Sequence, residues 1–236
     1  VGESVEKPDL YMQVNVEGST NLVDVMKELG VKKIVFSSTA ATYGEPREVP
    51  ITESSVTDPT NPYGASKLKV DHLLTSRAAS DGIAAISLRY FNVAGALKTE
   101  RGWLAERHNP ETHLIPNVLK AQAANPLKIF GTDWPTPDHT CIRDYIHVAD
   151  LADAHLAALK EVENGIVDEV FNVGSGTGYS VKEMLDQMST TMGVNLAPKI
   201  VGRRAGDTPQ LIASIAKIEK VLGWRPKLTL KEMIDS

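Results

Sequence analysis

Leu10, Val14, Leu22, Val25, Met26 and Leu29 recur at helical spacing and Gly30 supplies a stop, so the pattern predicts a helix over 10–29. Next comes "KKIVFSS" (32–38), a short apolar run suited to a strand buried on both faces of a parallel sheet, placed here from Lys33 to Phe36. After a loop rich in Pro and Thr, helical spacing returns from about Tyr63 to Ser80. Asp81-Gly82 then leads into "AAISLRYFN" (84–92), a second buried strand. The alternation of helix and strand predicts an α/β fold with a doubly wound parallel sheet.

Beyond Ala94 the pattern loosens. Residues 95–116 read as loop, followed by a helix near Asn117 to Ala124 and the strand-like "LKIFG" (127–131). "VADLADAHLAALK" (148–160) is an amphipathic helix, and "EVFNVGS" (169–175) restores the α/β rhythm. "SVKEMLDQMSTTMG" and "AKIEKVLGW" predict two further short helices. Two lobes fit this layout: 1–93 with 144–177 as the sheet domain, and 94–143 with 178–236 as a smaller α/β lobe.

Composition narrows the class. With 236 residues, 42% hydrophobic and 23% charged, the chain is long enough for one sizeable core and a smaller lobe. No apolar run approaches the ~20 residues of a membrane span, and the first thirty residues lack the pattern of a secretory leader, so a cytoplasmic protein without a membrane partner is expected. A formal net charge of -5 argues against a nucleic-acid surface, and the single cysteine, Cys141, excludes an internal disulfide. Position 1 is Val, and the opening "VGESVEKPDL" reads as the middle of a longer protein.

The candidate chemistry starts with "NPYGASKLK". Tyr63 and Lys67 stand at i and i+4 on one helix face, where an ammonium lowers a phenol's pKa toward the working range of a general base. Alone, Tyr-x-x-x-Lys is a weak signal, more often a solvated Tyr and a surface Lys. Its context strengthens it. Ser37, Ser38 and Thr39 follow the strand at its carboxyl end, the edge at which open parallel sheets bind ligands, and Phe91 and Asn92 follow the next strand in the same way.

In order, "SSTAATYG", "PYGASK", "RYFN", "GTDWPTPD", "IRDYIHVADLADAH" and "RRAGD" span nearly all 236 residues. Their order and intervals resemble the nucleotide-sugar 4-epimerases of the extended short-chain dehydrogenase/reductase family. The resemblance implies a Rossmann-type sheet, incomplete at its N-terminus, and tightly held NAD as a returning hydride store. It implies Tyr63 as the base on the sugar 4-hydroxyl, Lys67 as the group that depresses the phenol and holds the nicotinamide ribose, and Thr39 as the hydroxyl between sugar and phenol. Asn15, Ser37, Ser38, Thr39, Tyr63, Lys67 and Phe91 would then line the cofactor. For a UDP-sugar it implies Asn92, His113, Lys128, Ile129, Phe130, Arg143, Arg204 and Asp207, with the arginines as planar forks for a diphosphate. Arg143 beside Asp144 has an ordinary salt bridge as its alternative. Leu211 matches a position that sets room around the sugar 2-substituent, with UDP-glucose and UDP-galactose expected first and N-acetylated sugars second. A homodimer formed by pairing helices 10–29 and 63–80 into a four-helix bundle is also implied.

Departures from the pattern are specific. The glycine-rich cofactor turn and its acidic partner are not in the chain, which implies that roughly 80 to 90 preceding residues belong to the fold. His139 occupies a turn position where the family often has Gly. His72, His108, His147 and His155 lack metal-ligand spacing and are expected to be structural or solvated, and no metal is expected. Related 4,6-dehydratases carry Asp-Glu where this chain has Ala40 and Ala41, which disfavours elimination. A non-catalytic NAD-sensing or scaffold protein would be free to lose the Tyr, Lys and hydroxyl that this chain has.

Overall fold

A computed structural model describes residues 2–109, 111, 113–121, 126–204 and 206–236. Short helices α1 (Gly2–Glu6) and α2 (Pro8–Tyr11) lead through a π-helical segment, Met12–Glu17, into α3 (Gly18–Glu28). The single helix expected over 10–29 is thus interrupted by one widened stretch, and Gly30 ends it at φ 71°. Strand β1 (Lys33–Thr39) passes through a 3-10 turn, Ala40–Tyr43, to α4 (Pro62–Asp81), β2 (Ala84–Tyr90) and β3 (Asn92–Ala94). β1 is longer than the apolar run suggested. Ser37, Ser38 and Thr39 stay in the ladder opposite Leu88, Arg89 and Tyr90, and the Ser37 and Ser38 hydroxyls have side-chain partners there.

The stretch read as loop holds a hairpin, β4 (Leu97–Thr99) and β5 (Gly102–Leu104). Helix α5 (Leu114–Leu119) starts earlier than the predicted Asn117 because Pro116 fits a first helical turn; positions 122–124 of that predicted helix lie outside the described residues. There follow β6 (Lys128–Phe130), β7 (Ile142–His147), α6 (Val148–Asn164), β8 (Asp168–Val173), β9 (Gly178–Ser180), α7 (Val181–Met192), β10 (Lys199–Val201), β11 (Gln210–Leu211), α8 (Ala216–Leu222) and α9 (Leu230–Asp235). β7, β9, β10, β11 and α9 are too short or too mixed in polarity for the hydrophobic pattern to announce them.

β1, β2 and β8 form a parallel sheet in that order. Alternation along the strands sorts its two faces. Ile34, Phe36 and Ala85 meet Val23 and Met26 of α3 and Val70 and Leu74 of α4. Val35, Ile86 and Leu88 meet Leu151, Ala154, Ala158 and Val162 of α6. Helices on both faces make the sheet doubly wound and leave its carboxyl edge open. Each fully buried aliphatic side chain on these faces contributes about 1.5–3 kcal/mol.

β7 is the centre of a second sheet: it pairs with β3 and β11 in parallel and with β9 antiparallel. A separate core gathers Val118 of α5, Ile129 of β6, and Leu185 and Met188 of α7. His139 sits at φ 65°, alone among the described non-glycine residues in adopting a left-handed conformation. Its carbonyl accepts from Trp134 N and its amide donates to Thr136, which holds the turn in place. Among the described residues no helix is long and apolar enough to cross a membrane.

Candidate active site

The carboxyl ends of β1 and β2 lie side by side, and the first turn of α4 closes over them. Asn61 caps α4 by accepting from Gly64 N at 2.9 Å, and Pro62 pre-sets the first turn. Gly64 allows the close approach. A Cβ there would stand 2.4 Å from the Ala41 carbonyl oxygen, the backbone of the turn that follows Thr39. With the glycine in place, the Tyr63 phenol stands beside the Thr39 hydroxyl. Thr39 Oγ1 accepts from Ala41 N at 3.2 Å, which holds the hydroxyl at the start of the turn. The Tyr11 ring stands edge-on to Tyr63, with centroids 6.2 Å apart.

Burial pushes the Tyr63 phenol up to about 12, the Thr39 hydrogen bond opposes this, and Tyr90 and Tyr11 add to the rise. Lys67 is not among the groups that shift this phenol. Its Nζ donates to the Ser37 carbonyl at 3.1 Å and lies over the Phe36 ring at 4.8 Å. Burial lowers the Lys67 pKa, and the Asp71 carboxylate one turn further along α4 raises it.

A polar seam runs beneath this pair. His155 Nδ1 is 2.8 Å from the Leu151 carbonyl, which can only accept, so Nδ1 carries the proton and Nε2 accepts from Ser37 Oγ at 3.0 Å. Ser38 Oγ donates to Asp71 Oδ2 at 3.1 Å, and Arg89 Nε donates to the same oxygen at 3.0 Å. The Arg89 guanidinium lies 5.0 Å from the Tyr43 ring centre, and Tyr43 donates to Asn172 on β8 at 2.7 Å. On the other side, Asn15 donates to Ser66 Oγ at 2.9 Å and Ser66 to the Tyr63 carbonyl at 2.8 Å, fixing the start of α4 to the π-helical segment. Sequence reading missed His155, Asp71, Arg89 and Tyr43. Their partners are 18 to 129 residues away, beyond any local pattern.

Phe91 is buried with Ala40, Tyr43, Ile51 and Ala213, and Leu211 packs against that cluster. Asn92 is exposed on β3 and lies near Tyr145, whose phenol burial pushes up to about 12 while Arg143 and Asn92 oppose the rise. A second group forms where β6 faces the segment around Arg204. Ile129 points into the core, while Phe130 is partly exposed with the Arg204 guanidinium 5.3 Å above its ring, and Lys128 shares the exposed face. Arg204 binds Asp207 through two nitrogens at 2.9 and 3.2 Å, and Arg143 Nη2 approaches the same carboxylate at 3.7 Å. Two cations against one carboxylate leave surplus positive charge beside an aromatic ring. Asp144 is not the ion partner of Arg143. It is turned inward and takes its hydrogen bonds from Ser175, Gly176 and Ala213.

His113 stands apart from both groups. Its Nδ1 lies 2.9 Å from Glu111 and its ring meets His108 edge-on. Glu106, Glu111 and His113 bring one possible metal-ligand atom each within 4.8 Å of one another, Glu106 and His113 exposed and the Glu111 side chain largely covered. The "RRAGD" motif is described except for Ala205.

The chain matches the model of the NAD dependent epimerase/dehydratase family over residues 1–174. It is 52% identical over 231 residues to a UDP-glucose 4-epimerase of Corynebacterium glutamicum, covering 97% of this chain and 69% of that protein. It is 48% identical over 228 residues to a UDP-glucose 4-epimerase of Streptomyces lividans, covering 96% and 68%. Among solved structures, UDP-glucose 4-epimerase from Brucella ovis in complex with NAD superposes with a TM-score of 0.93 at 40% identity, covering 99% of this chain and 72% of that one. The enzyme from Bifidobacterium longum in complex with NAD+ and UDP superposes with a TM-score of 0.87 at 39% identity, covering 100% and 71%.

Proposed function

Because this chain belongs to the NAD dependent epimerase/dehydratase family, we propose that it carries the active site of a UDP-glucose 4-epimerase, with Tyr63, Thr39 and Lys67 as its working groups. The reading rests on one observation above all: the Tyr63 phenol standing beside the Thr39 hydroxyl at the carboxyl edge of the parallel sheet, with the Lys67 ammonium on the Ser37 carbonyl of the same edge.

Thr39 aligns the sugar 4-hydroxyl with the phenol oxygen, and Tyr63 takes the hydroxyl proton as the carbon is oxidised and returns it after the 4-keto sugar has turned over. The donor set fits a hydroxyl-bearing cofactor: Lys67 has three N–H donors and gives one to the Ser37 carbonyl, and the Asn15, Ser37 and Phe91 side chains border the same edge. When bound, NAD supplies the acceptor for the C4 hydride, returns it to the opposite face, and brings a positively charged ring that favours the phenolate. Tyr63 then works as a base although burial alone holds its proton tightly. His155 and Asp71 fix the Ser37 and Ser38 hydroxyls and so the end of β1.

Arg143, Arg204 and Asp207 form the diphosphate and ribose grip, and the Phe130 edge with Lys128 lies beside the base; Asn92 and Leu211 border the sugar. We assign residues 1–93 with 144–177 to the cofactor and 94–143 with 178–236 to the nucleotide sugar, supported by the separate core of α5, β6 and α7. The protein acts in the cytoplasm as a homodimer. The exposed Leu10, Val14, Leu22, Val25 and Leu29 form the apolar stripe that a partner helix pair would cover.

The test is conversion of UDP-galactose carrying deuterium at C4 by the NAD-supplemented gene product that contains this chain. UDP-glucose that retains the label is expected. A 4-keto-6-deoxy product would replace epimerisation by elimination, and loss of label to water would replace hydride return by proton chemistry. Gly64→Ala serves as a geometric check: the added methyl forces α4 away from the Ala41 carbonyl, and we expect turnover to fall about tenfold with the fold intact. Unchanged turnover would show that the close approach is not needed.

A further inference from the structure

We propose that Asp71 is a positioning residue of the epimerase site, a buried anion that ties α4 to β1 and β2 and keeps Lys67 in its cationic form. The proposal rests on the reading of Tyr63 and Lys67 above and adds a group outside the contact set.

Asp71 follows Lys67 by four residues, so the two side chains share a face of α4. Only 3% of Asp71 is exposed, and its surroundings come from three elements. Oδ2 receives Ser38 Oγ from β1 and Arg89 Nε from β2, while Oδ1 has no hydrogen-bond partner among the described residues. A buried carboxylate oxygen without a donor is costly. The Lys67 ammonium stands one turn away on the same helix face, and the Asp71 charge opposes the effect of burial on it. The tether also has a positional consequence. Ser38 precedes Thr39, and Asp71 lies two turns beyond Tyr63, so the same carboxylate sets the spacing between the hydroxyl and the phenol.

The groups facing Lys67 are few. β1 offers the Ser37 carbonyl and the Phe36 ring; α4 offers Asp71; Arg89 of β2 reaches it only through Asp71; His155 of α6 is held by Ser37. Removing the anion therefore leaves burial unopposed, and Lys67 loses its proton at lower pH. Removing Arg89 unmasks the anion and moves Lys67 the other way.

The experiment is the pH profile of kcat/KM for the NAD-loaded wild type, Asp71→Asn, Arg89→Gln and Ser38→Ala. For Asp71→Asn we expect kcat to fall roughly tenfold with KM within about twofold, and the alkaline limb to move about one pH unit toward acid. For Arg89→Gln the limb should move toward alkali, a sign that loosened packing does not produce. Ser38→Ala should leave the limb in place. A limb that stays put in both charge variants, or moves with Ser38→Ala as far as with Asp71→Asn, overturns the proposal. If Asp71→Asn does not fold, Arg89→Gln alone decides by its sign. A wild type that does not epimerise would instead overturn the functional reading.

Discussion

Tyr63→Phe is expected to lower turnover about a thousandfold, the middle of the range for a positioned acid–base group, equivalent to about 4 kcal/mol of barrier. Phe preserves what packs around the ring: the edge contact with Tyr11 at 6.2 Å and the backbone anchors through Ser66 and Gly64. What it removes is the single oxygen that the Thr39 hydroxyl faces. Unchanged melting temperature and unchanged UDP affinity, with turnover nearly abolished, separate the chemical loss from a structural one. If the variant kept more than about a tenth of wild-type turnover, the phenol would not be the group that moves the proton. The effect should also exceed that of Thr39→Ala, since Thr39 only aligns a proton that Tyr63 must accept.

Much of this site was legible because it is local. Tyr63 and Lys67 lie within two turns of one helix and their spacing is written in five consecutive residues, whereas the Asn61 cap and the close approach at Gly64 emerge only from the fold. The strand ends were legible for a related reason: apolar runs stop where the sheet does, and the chemistry sits just beyond. Misreadings began where side chains recruit distant partners. Ser37, Ser38 and Thr39 were placed just beyond the strand, yet they stay in the ladder, Ser37 and Ser38 held there by His155 and Asp71. Lys67 stands on the Tyr63 face by its i, i+4 spacing, but spacing gives proximity and not direction, and the direction of its ammonium is set by the Ser37 carbonyl. The same limit applies to Arg143. Its neighbour in sequence, Asp144, alternates to the other face of β7, so the partner is Asp207, 64 positions along. The short strands around β7 had no pattern of their own to read, since their burial is set by one another.

That alternation makes Asp144 the residue whose replacement should cost the most stability. Each of its oxygens accepts two donors: Oδ1 takes Ser175 N at 2.6 Å and Ser175 Oγ at 2.7 Å, and Oδ2 takes Gly176 N at 3.0 Å and Ala213 N at 3.1 Å. The site is fully buried, which pushes the carboxyl's pKa up, while these four donors pull it down. Gly174 lets the loop after β8 wrap this closely, since a Cβ there would stand 2.5 Å from Oδ2. Asn has the same shape but only one acceptor oxygen. Turned one way, its NH2 opposes the Gly176 and Ala213 amides; turned the other, it opposes the Ser175 amide while the Ser175 hydroxyl rotates to accept, so at least one buried N–H is left unsatisfied. We expect Asp144→Asn to destabilise the protein by about 3 kcal/mol and to lower Tm by roughly 6–12 °C, measured by calorimetry. Loss of these contacts also frees Ala213 and with it Leu211, which is in register with Arg143, so the KM for the nucleotide sugar should rise while the Tyr63 chemistry persists. A variant as stable as the wild type would mean that water or backbone movement satisfies the stranded donors, and that β7 does not depend on this carboxylate to hold β11 and the loop after β8 together.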